Sequence, residues 1–119
     1  MEKPMGFQQR CIRFSAQVLQ LTSVLPKSLA SRTIADQLLR SGTSVGANAH
    51  EARSAESRAD FIHKMQIALK ESRETQYWLA LIQQAKLLET VRIDPVLQEC
   101  NEITAILAQS VITAKKNAQ

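Results

Sequence analysis

The stretch RSGTSVGANAHEARS, residues 40–54, decides the fold, because its glycines suggest a loop while its spacing suggests a helix. Gly42 and Gly46 stand among small residues, with no proline between them. Each glycine costs roughly 1 kcal/mol against alanine inside a helix, so close packing against a neighbouring helix should offset that cost. An apolar stripe at helical spacing nevertheless continues through the stretch: Ile34, Leu38, Val45, Ala49 and Ala52. We therefore predict one unbroken helix over about 29–53.

The rest of the chain predicts three further helices of the same amphipathic kind. The first carries apolar residues at steps of three and four, and Pro26 ends it. Its apolar stripe is Phe7, Cys11, Phe14, Val18, Leu21 and Leu25. The candidate N-terminal caps are Ser28 or Ser31, Ser54 or Ser57, and Asp94 followed by Pro95. The predicted helices cover about 5–25, 29–53, 57–90 and 95–116.

Length and composition limit the class of protein. The chain has 119 residues, 45% of them hydrophobic and 22% charged, which predicts a single globular domain over 1–119. Four amphipathic helices with short connections predict an all-α fold, an antiparallel up-down-up-down four-helix bundle. No apolar run reaches the roughly 18 residues of a membrane span, and the N-terminus lacks a signal-peptide core. We therefore expect a cytoplasmic protein, in which Cys11 and Cys100 are free buried thiols.

The sequence contains fragments of catalytic motifs but no complete one. His50-Glu51 resembles the start of the zinc-protease pattern, yet the position four residues after the histidine is Ser54. Glu71 and Glu74 lie one turn apart, without the Glu-x-x-His motif of di-iron bundles. We therefore predict no catalytic, cofactor-binding or metal-binding residues. The rival hypothesis is an enzyme built on the region of His50, Glu71 and Glu74.

Polar side chains line one face of the second helix at steps of four, four and three residues. Such a line can form a catalytic cleft, or a hydrogen-bond network that sets how the helices pack. The lack of an evident nucleophile–base pair favours the network. We predict that its members, from the second and third helices, are Arg40, Ser44, Asn48, Glu51, Glu71 and Glu74.

The second and third helices carry more apolar and small side chains than one narrow face can bury. The excess on the third helix includes Tyr77, Trp78, Leu81, Ala85 and Leu88. An exposed apolar surface of this kind favours self-association. The net charge of +4 and the pI near 9.4 also permit contact with nucleic acid.

Residues 38–82 resemble a known family. The segment ANAHEARS, 47–54, is similar to the small–Asn–x–Ala–Glu–Gly segment of the bacterial four-helix bundle proteins first noticed inside intervening sequences of large-subunit ribosomal RNA genes. The runs LLRSGTSVGAN, 38–48, and SRADFIHKMQIALKESRETQYWLALI, 57–82, resemble that family as well. The chain departs from it at His50 and Ala52, where the family often has alanine and glycine.

The resemblance implies a cyclic homopentamer around a central channel. A related bundle, the accessory variability determinant of diversity-generating retroelements, forms a similar basic pentamer that partners a reverse transcriptase and binds nucleic acid. We therefore expect a non-enzymatic scaffold that contacts the RNA or DNA backbone. The alternative is an adaptor for a nucleic-acid enzyme or another protein partner, without direct nucleic-acid binding.

The candidate phosphate contacts are basic residues of the first and third predicted helices and of the connection between the first and second. They are Arg10, Arg13, Lys27, Arg58, Lys64, Lys70, Arg73 and Lys86. Because the chain has one Trp and one Tyr, we expect contacts to the backbone rather than a base-stacking platform. Binding of this type depends little on base sequence and weakens as salt rises.

Overall fold

The computed structural model describes residues 5–117, and these residues form four helices and no strand. The predicted all-α fold with four helices is confirmed. The predicted domain, 1–119, also includes residues 1–4 and 118–119, which lie outside the described residues. The helices are α1 (Phe7–Val24), α2 (Leu29–Ala52), α3 (Arg58–Gln84) and α4 (Thr90–Asn117).

Serine side chains begin two of the helices, as the sequence predicts. The Oγ of Ser28 accepts a hydrogen bond from the Ser31 amide at 3.1 Å, at the start of α2. The Oγ of Ser57 accepts one from the Asp60 amide at 3.0 Å, at the start of α3. The Asp60 carboxylate in turn accepts from the Glu56 amide at 3.2 Å. Each of the two serine bonds satisfies a backbone donor that the helix itself leaves unpaired.

The end of α3 differs from the prediction, because the helix stops at Gln84 rather than near residue 90. Lys86 adopts a left-handed backbone conformation, with φ at 57°. Its amide donates to the Gln83 carbonyl at 3.2 Å, and the Leu87 amide donates to the Ile82 carbonyl at 3.1 Å. These two bonds form a Schellman ending, in which a left-handed residue terminates a helix. Glycine usually fills that position, so a lysine there gave no signal in the sequence.

The start of α4 also differs, since the helix begins at Thr90 and contains Pro95 in its second turn. Asp94 accepts a hydrogen bond from the Gln83 side chain at 2.8 Å and does not cap the helix. Proline lacks the amide that would bond the carbonyl four residues earlier, which belongs to Val91. Val91 is 73% exposed, so water can reach that region of the backbone and a proline is tolerated there.

The two helical glycines lie where α2 packs against α1, and the predicted close approach is confirmed. A Cβ on Gly42 would come within 2.9 Å of Val18 Cγ1. A Cβ on Gly46 would lie 3.1 Å from Cys11 Cβ and 3.6 Å from the Cys11 carbonyl oxygen. The stretch at 40–54 is therefore helical up to Ala52, and its glycines allow α1 to lie close to α2.

One apolar core runs through the four helices, and the predicted stripes of α1 and α2 contribute to it. α2 packs on α1 and α3, and α4 packs on α3 and α1. Cys11 and Cys100 are free and buried, as predicted, and burial raises the pKa of each thiol to about 11. The largest fully buried side chains include Phe14, Leu38, Leu79, Ile82, Ile93, Ile103 and Leu107.

Two pairs of hydroxyl groups cross the core between helices. Thr75 of α3 donates to the Ser41 hydroxyl of α2 at 3.0 Å. Ser72 of α3 and Thr104 of α4 lie 2.5 Å apart, oxygen to oxygen. Buried hydroxyls need such partners, because an unpaired one costs free energy. These pairs therefore favour one alignment of α3 against each of its neighbours.

Candidate nucleic-acid interface

One face of α3 is exposed along most of the helix and carries no carboxylate. Its residues follow steps of three and four and extend over about 30 Å. We call this surface the α3 outer face: His63, Gln66, Lys70, Arg73, Tyr77, Ala80 and Gln84, all exposed. The cations of Lys70 and Arg73 stand one turn apart near its middle. A phosphate backbone can meet two positive charges here without meeting a negative charge on the same face.

The carboxylates that flank this face are held by a single arginine from α2. Arg40 Nη1 donates to Glu71 Oε2 at 3.1 Å, and Nη2 donates to Glu74 Oε2. The indole Nε1 of Trp78 also donates to Glu74, at 3.0 Å. The Trp78 bond and then the Arg40 contacts lower the pKa of Glu74, and the same carboxylates raise the pKa of Arg40. Both glutamates therefore point to α2 and share its guanidinium.

Tyr77 and Trp78 form an aromatic pair beside these charges. The two ring centroids lie 5.0 Å apart, with the planes at 79° in an edge-on arrangement. Tyr77 is 61% exposed, whereas Trp78 is half-buried and packs against the core. The sequence indicated excess apolar surface at both residues, and the place of Tyr77 on the outer face was not predicted. The steps of three and four from His63 to Tyr77 could have revealed it.

Three of the eight predicted phosphate contacts are engaged by carboxylates within the protomer. Arg10 binds Glu99 through two bonds, at 2.6 and 2.8 Å, and also binds Glu102 at 2.9 Å. Arg13 lies 3.5 Å from Glu99. The Arg10 bonds lower the pKa of Glu99, and they raise the pKa of Arg10 itself. The third is Lys64, whose Nζ lies 3.6 Å from Glu51.

The other five predicted contacts are exposed, and within residues 5–117 none lies within 4 Å of a carboxylate. They do not converge on one site. Lys27 follows α1, Lys86 follows α3, and Arg58 begins α3. Only Lys70 and Arg73 share a face. The α3 outer face is therefore the surface on which these basic residues are best placed to contact phosphates.

The predicted polar network is divided in the structure. Arg40 links α2 to Glu71 and Glu74 of α3, and Glu51 of α2 faces Lys64 of α3. Ser44 and Asn48 instead bond within α2: the Ser44 hydroxyl donates to the Arg40 carbonyl at 2.7 Å, and the Asn48 amide donates to the Ser44 carbonyl at 2.8 Å. Among the six predicted members, charged side chains therefore make the bonds between α2 and α3 within the protomer.

The described part of the chain shows two further facts that bear on function. Among residues 5–117, no three side chains of His, Cys, Asp or Glu lie close enough together to hold a metal ion. No helix in this range combines the length and the apolar character needed to cross a membrane.

Comparison with known proteins identifies the family. Residues 3–109 match the model of the 23S rRNA-intervening sequence protein family. The chain is also similar to a solved protein of unknown function from the S23 ribosomal protein family of Bacteroides thetaiotaomicron, with 35% identity and a TM-score of 0.83. That match covers 89% of this chain and 98% of the other. No curated protein sequence matches, and the relation to the retroelement accessory protein stays a prediction. The chain belongs to the 23S rRNA-intervening sequence protein family.

Proposed function

We propose that the protein is a non-enzymatic, homo-oligomeric scaffold of the cytoplasm that contacts nucleic-acid phosphates through the α3 outer face. The observation that carries this proposal is the exposed pair Lys70 and Arg73, on a face of seven residues without a carboxylate. Lysine and arginine on phosphates supply affinity that is independent of base sequence and sensitive to salt. The net charge of +4 per chain adds to this attraction.

The apolar surface of α1 supports the homo-oligomer. Met5, Ile12 and Leu19, spaced seven residues apart, are 43%, 67% and 52% exposed. Beside Ile12, a groove between α1 and α2 has Gly46 and Ala47 in its lining, so that part of it is lined by small residues. A stripe and a groove of this kind can seat a neighbouring copy. We propose a closed ring with heterologous contacts, of five copies, which would repeat the basic surface around one axis.

We also infer the up-down-up-down order of the helices. Cys11 lies against Gly46, and Val18 lies against Gly42, so residue numbers rise along α1 as they fall along α2. A hydrogen bond from Gln83 to Asp94 likewise joins the end of α3 to the start of α4. These contacts support antiparallel neighbours joined by short connections.

Nucleic-acid binding is tested with the purified oligomer, a structured RNA and duplex DNA over a salt series. We expect affinity that falls steeply with salt, and a tenfold or greater loss in the variant Lys70→Gln/Arg73→Gln. Its salt slope should fall by about one for each phosphate interaction that the substitutions remove. The matched control, Lys115→Gln/Lys116→Gln, removes the same charge from the exposed end of α4. An equal loss in both variants would assign binding to net charge and not to the α3 outer face.

No binding at low salt would overturn the nucleic-acid proposal and favour the protein-partner adaptor.

The oligomer is tested separately by light scattering. A mass of 13.3 kDa, that of one chain, at micromolar concentration would overturn the ring. Ile12→Glu/Leu19→Glu should dissociate it, whereas Ile112→Glu, on the 58% exposed side chain of α4, is the control.

A further inference from the structure

We propose that the α3 outer face binds single-stranded nucleic acid, with one unpaired base stacked on Tyr77 and the adjoining phosphates on Arg73 and Lys70. This inference rests on the proposed function, because it uses the same two cations. It goes further by naming an unpaired strand as the ligand and an aromatic ring as the element that selects it. The sequence alone led us to expect backbone contacts without stacking.

The spacing on α3 places an aromatic ring directly after two cations. Arg73 follows Lys70 by three residues, and Tyr77 follows Arg73 by four, so the three stand on successive turns of one face. These steps correspond to about 4.5 and 6 Å along the helix axis. A strand that runs along this face can place a base on the ring while its neighbouring phosphates stay within reach of both long side chains.

The Tyr77 ring is accessible and lies beside a second aromatic ring. It is 61% exposed, and its centroid lies 5.0 Å from that of Trp78 in an edge-on arrangement. Trp78 is held in turn by its bond to Glu74, which Arg40 also binds. A ring ordered in advance loses less conformational freedom when a base stacks on it, which favours binding.

The surface around Tyr77 suits a strand of phosphates and bases. An acidic protein surface that offers few aromatic contacts suits it less. No member of the α3 outer face is acidic. The nearest carboxylates on α3, Glu71 and Glu74, face α2 and bond to Arg40. Duplex bases are stacked on each other and cannot cover Tyr77, whereas an unpaired base can. Stacking of one base on an aromatic side chain is worth roughly 5- to 150-fold in affinity.

The test measures binding of a labelled single-stranded RNA of mixed sequence, the same RNA as a duplex, and the single-stranded DNA of that sequence. We expect the oligomer to bind both single strands more tightly than the duplex. Tyr77→Leu, which keeps apolar bulk but removes the flat ring, should lose roughly 5- to 150-fold for single strands and leave duplex binding unchanged. Tyr77→Phe keeps the ring and is the matched control.

The single Trp of the chain supplies a second readout. Because Trp78 touches Tyr77 edge-on, a base stacked on Tyr77 should change Trp78 fluorescence in a saturable way. That change should persist in Tyr77→Phe and disappear in Tyr77→Leu.

Equal affinity for single strands and duplex, together with wild-type binding by Tyr77→Leu, would overturn this inference and leave the phosphate proposal intact. A complete lack of binding by the wild-type protein at low salt would remove both. Light scattering measures the oligomer mass of Tyr77→Leu. A changed mass would place Tyr77 in a contact between copies and overturn the stacking role.

Discussion

Gly42 lies so close to Val18 that a Cβ on the glycine would come within 2.9 Å of Val18 Cγ1, 3.0 Å of Cγ2 and 3.4 Å of Cβ. Valine is stiff at χ1, so its methyl groups cannot swing out of the way at low cost. The α1–α2 packing therefore depends on the missing side chain at Gly42. This relationship explains why a helix keeps a residue that weakens it locally.

A double-mutant cycle tests that packing. Gly42→Ala gains about 1 kcal/mol of helix propensity but adds overpacking of about 1–3 kcal/mol, so we expect a net loss of stability. Val18→Ala should cost about 2 kcal/mol because it buries less apolar surface. The double variant should be less destabilised than the sum of the two by about 1 kcal/mol. Urea denaturation at one protomer concentration measures the cycle, and additive effects would contradict the clash.

The buried pair of Ser72 and Thr104 predicts an unequal response to removing one hydroxyl or both. Thr104→Val leaves the fully buried Ser72 hydroxyl without its partner at 2.5 Å and should destabilise by about 1–2 kcal/mol. Ser72→Ala/Thr104→Val removes both groups and should lie closer to the wild type. Chemical denaturation checks this order of stabilities. A double variant that is less stable than Thr104→Val would show that Thr104 does not stabilise the protein through the hydroxyl pair.

The bonds between Arg10 and Glu99 should make stability depend on pH in the acidic range. They lower the pKa of Glu99 below the ordinary value of a glutamate, and the Glu99 side chain is only 12% exposed. A lowered carboxyl pKa contributes stability that is complete above the unfolded pKa and is lost as pH falls through the folded pKa. Arg10→Met should therefore cost about 1–2 kcal/mol at pH 7 and less at about pH 3.

Urea denaturation of wild type and variant at the two pH values measures that difference. The control is Arg13→Met, because Arg13 is 53% exposed at 3.5 Å from Glu99 and should cost under about 0.5 kcal/mol. An Arg10→Met effect of the same size at both pH values would show that the arginine acts through its apolar stem and not its charge.

The left-handed conformation of Lys86 predicts a stabilising substitution. A residue with a side chain pays about 1–2 kcal/mol in this conformation, and glycine avoids most of that at some entropic cost in the unfolded chain. Lys86→Gly should therefore raise the free energy of unfolding by about 0.5–1 kcal/mol. Lys86→Ala, which keeps the strain, is the control and should give no such gain. Thermal or urea denaturation compares the two, and equal stabilities would argue against a left-handed Lys86.

The sequence by itself determined the helices and the side chains that face the core. Steps of three and four predicted the stripe from Cys11 to Leu25, and these side chains are buried. It also predicted that Gly42 and Gly46 lie inside a helix at a close approach. Such features follow from local periodicity, because a helix brings residues three and four positions apart onto one face.

Only the tertiary structure decided where α3 ends and which groups meet across the bundle. The left-handed turn at Lys86 has no local signature, since lysine rarely occupies it. Arg10 binds Glu99, which lies 89 positions away in sequence. Arg10 is therefore engaged within the protomer and is no longer a candidate phosphate contact. Tyr77 became a candidate only when its neighbours on the α3 outer face were known to be exposed. A charge or a ring acts through its surroundings, and those surroundings come from segments that are distant in sequence and adjacent only after folding.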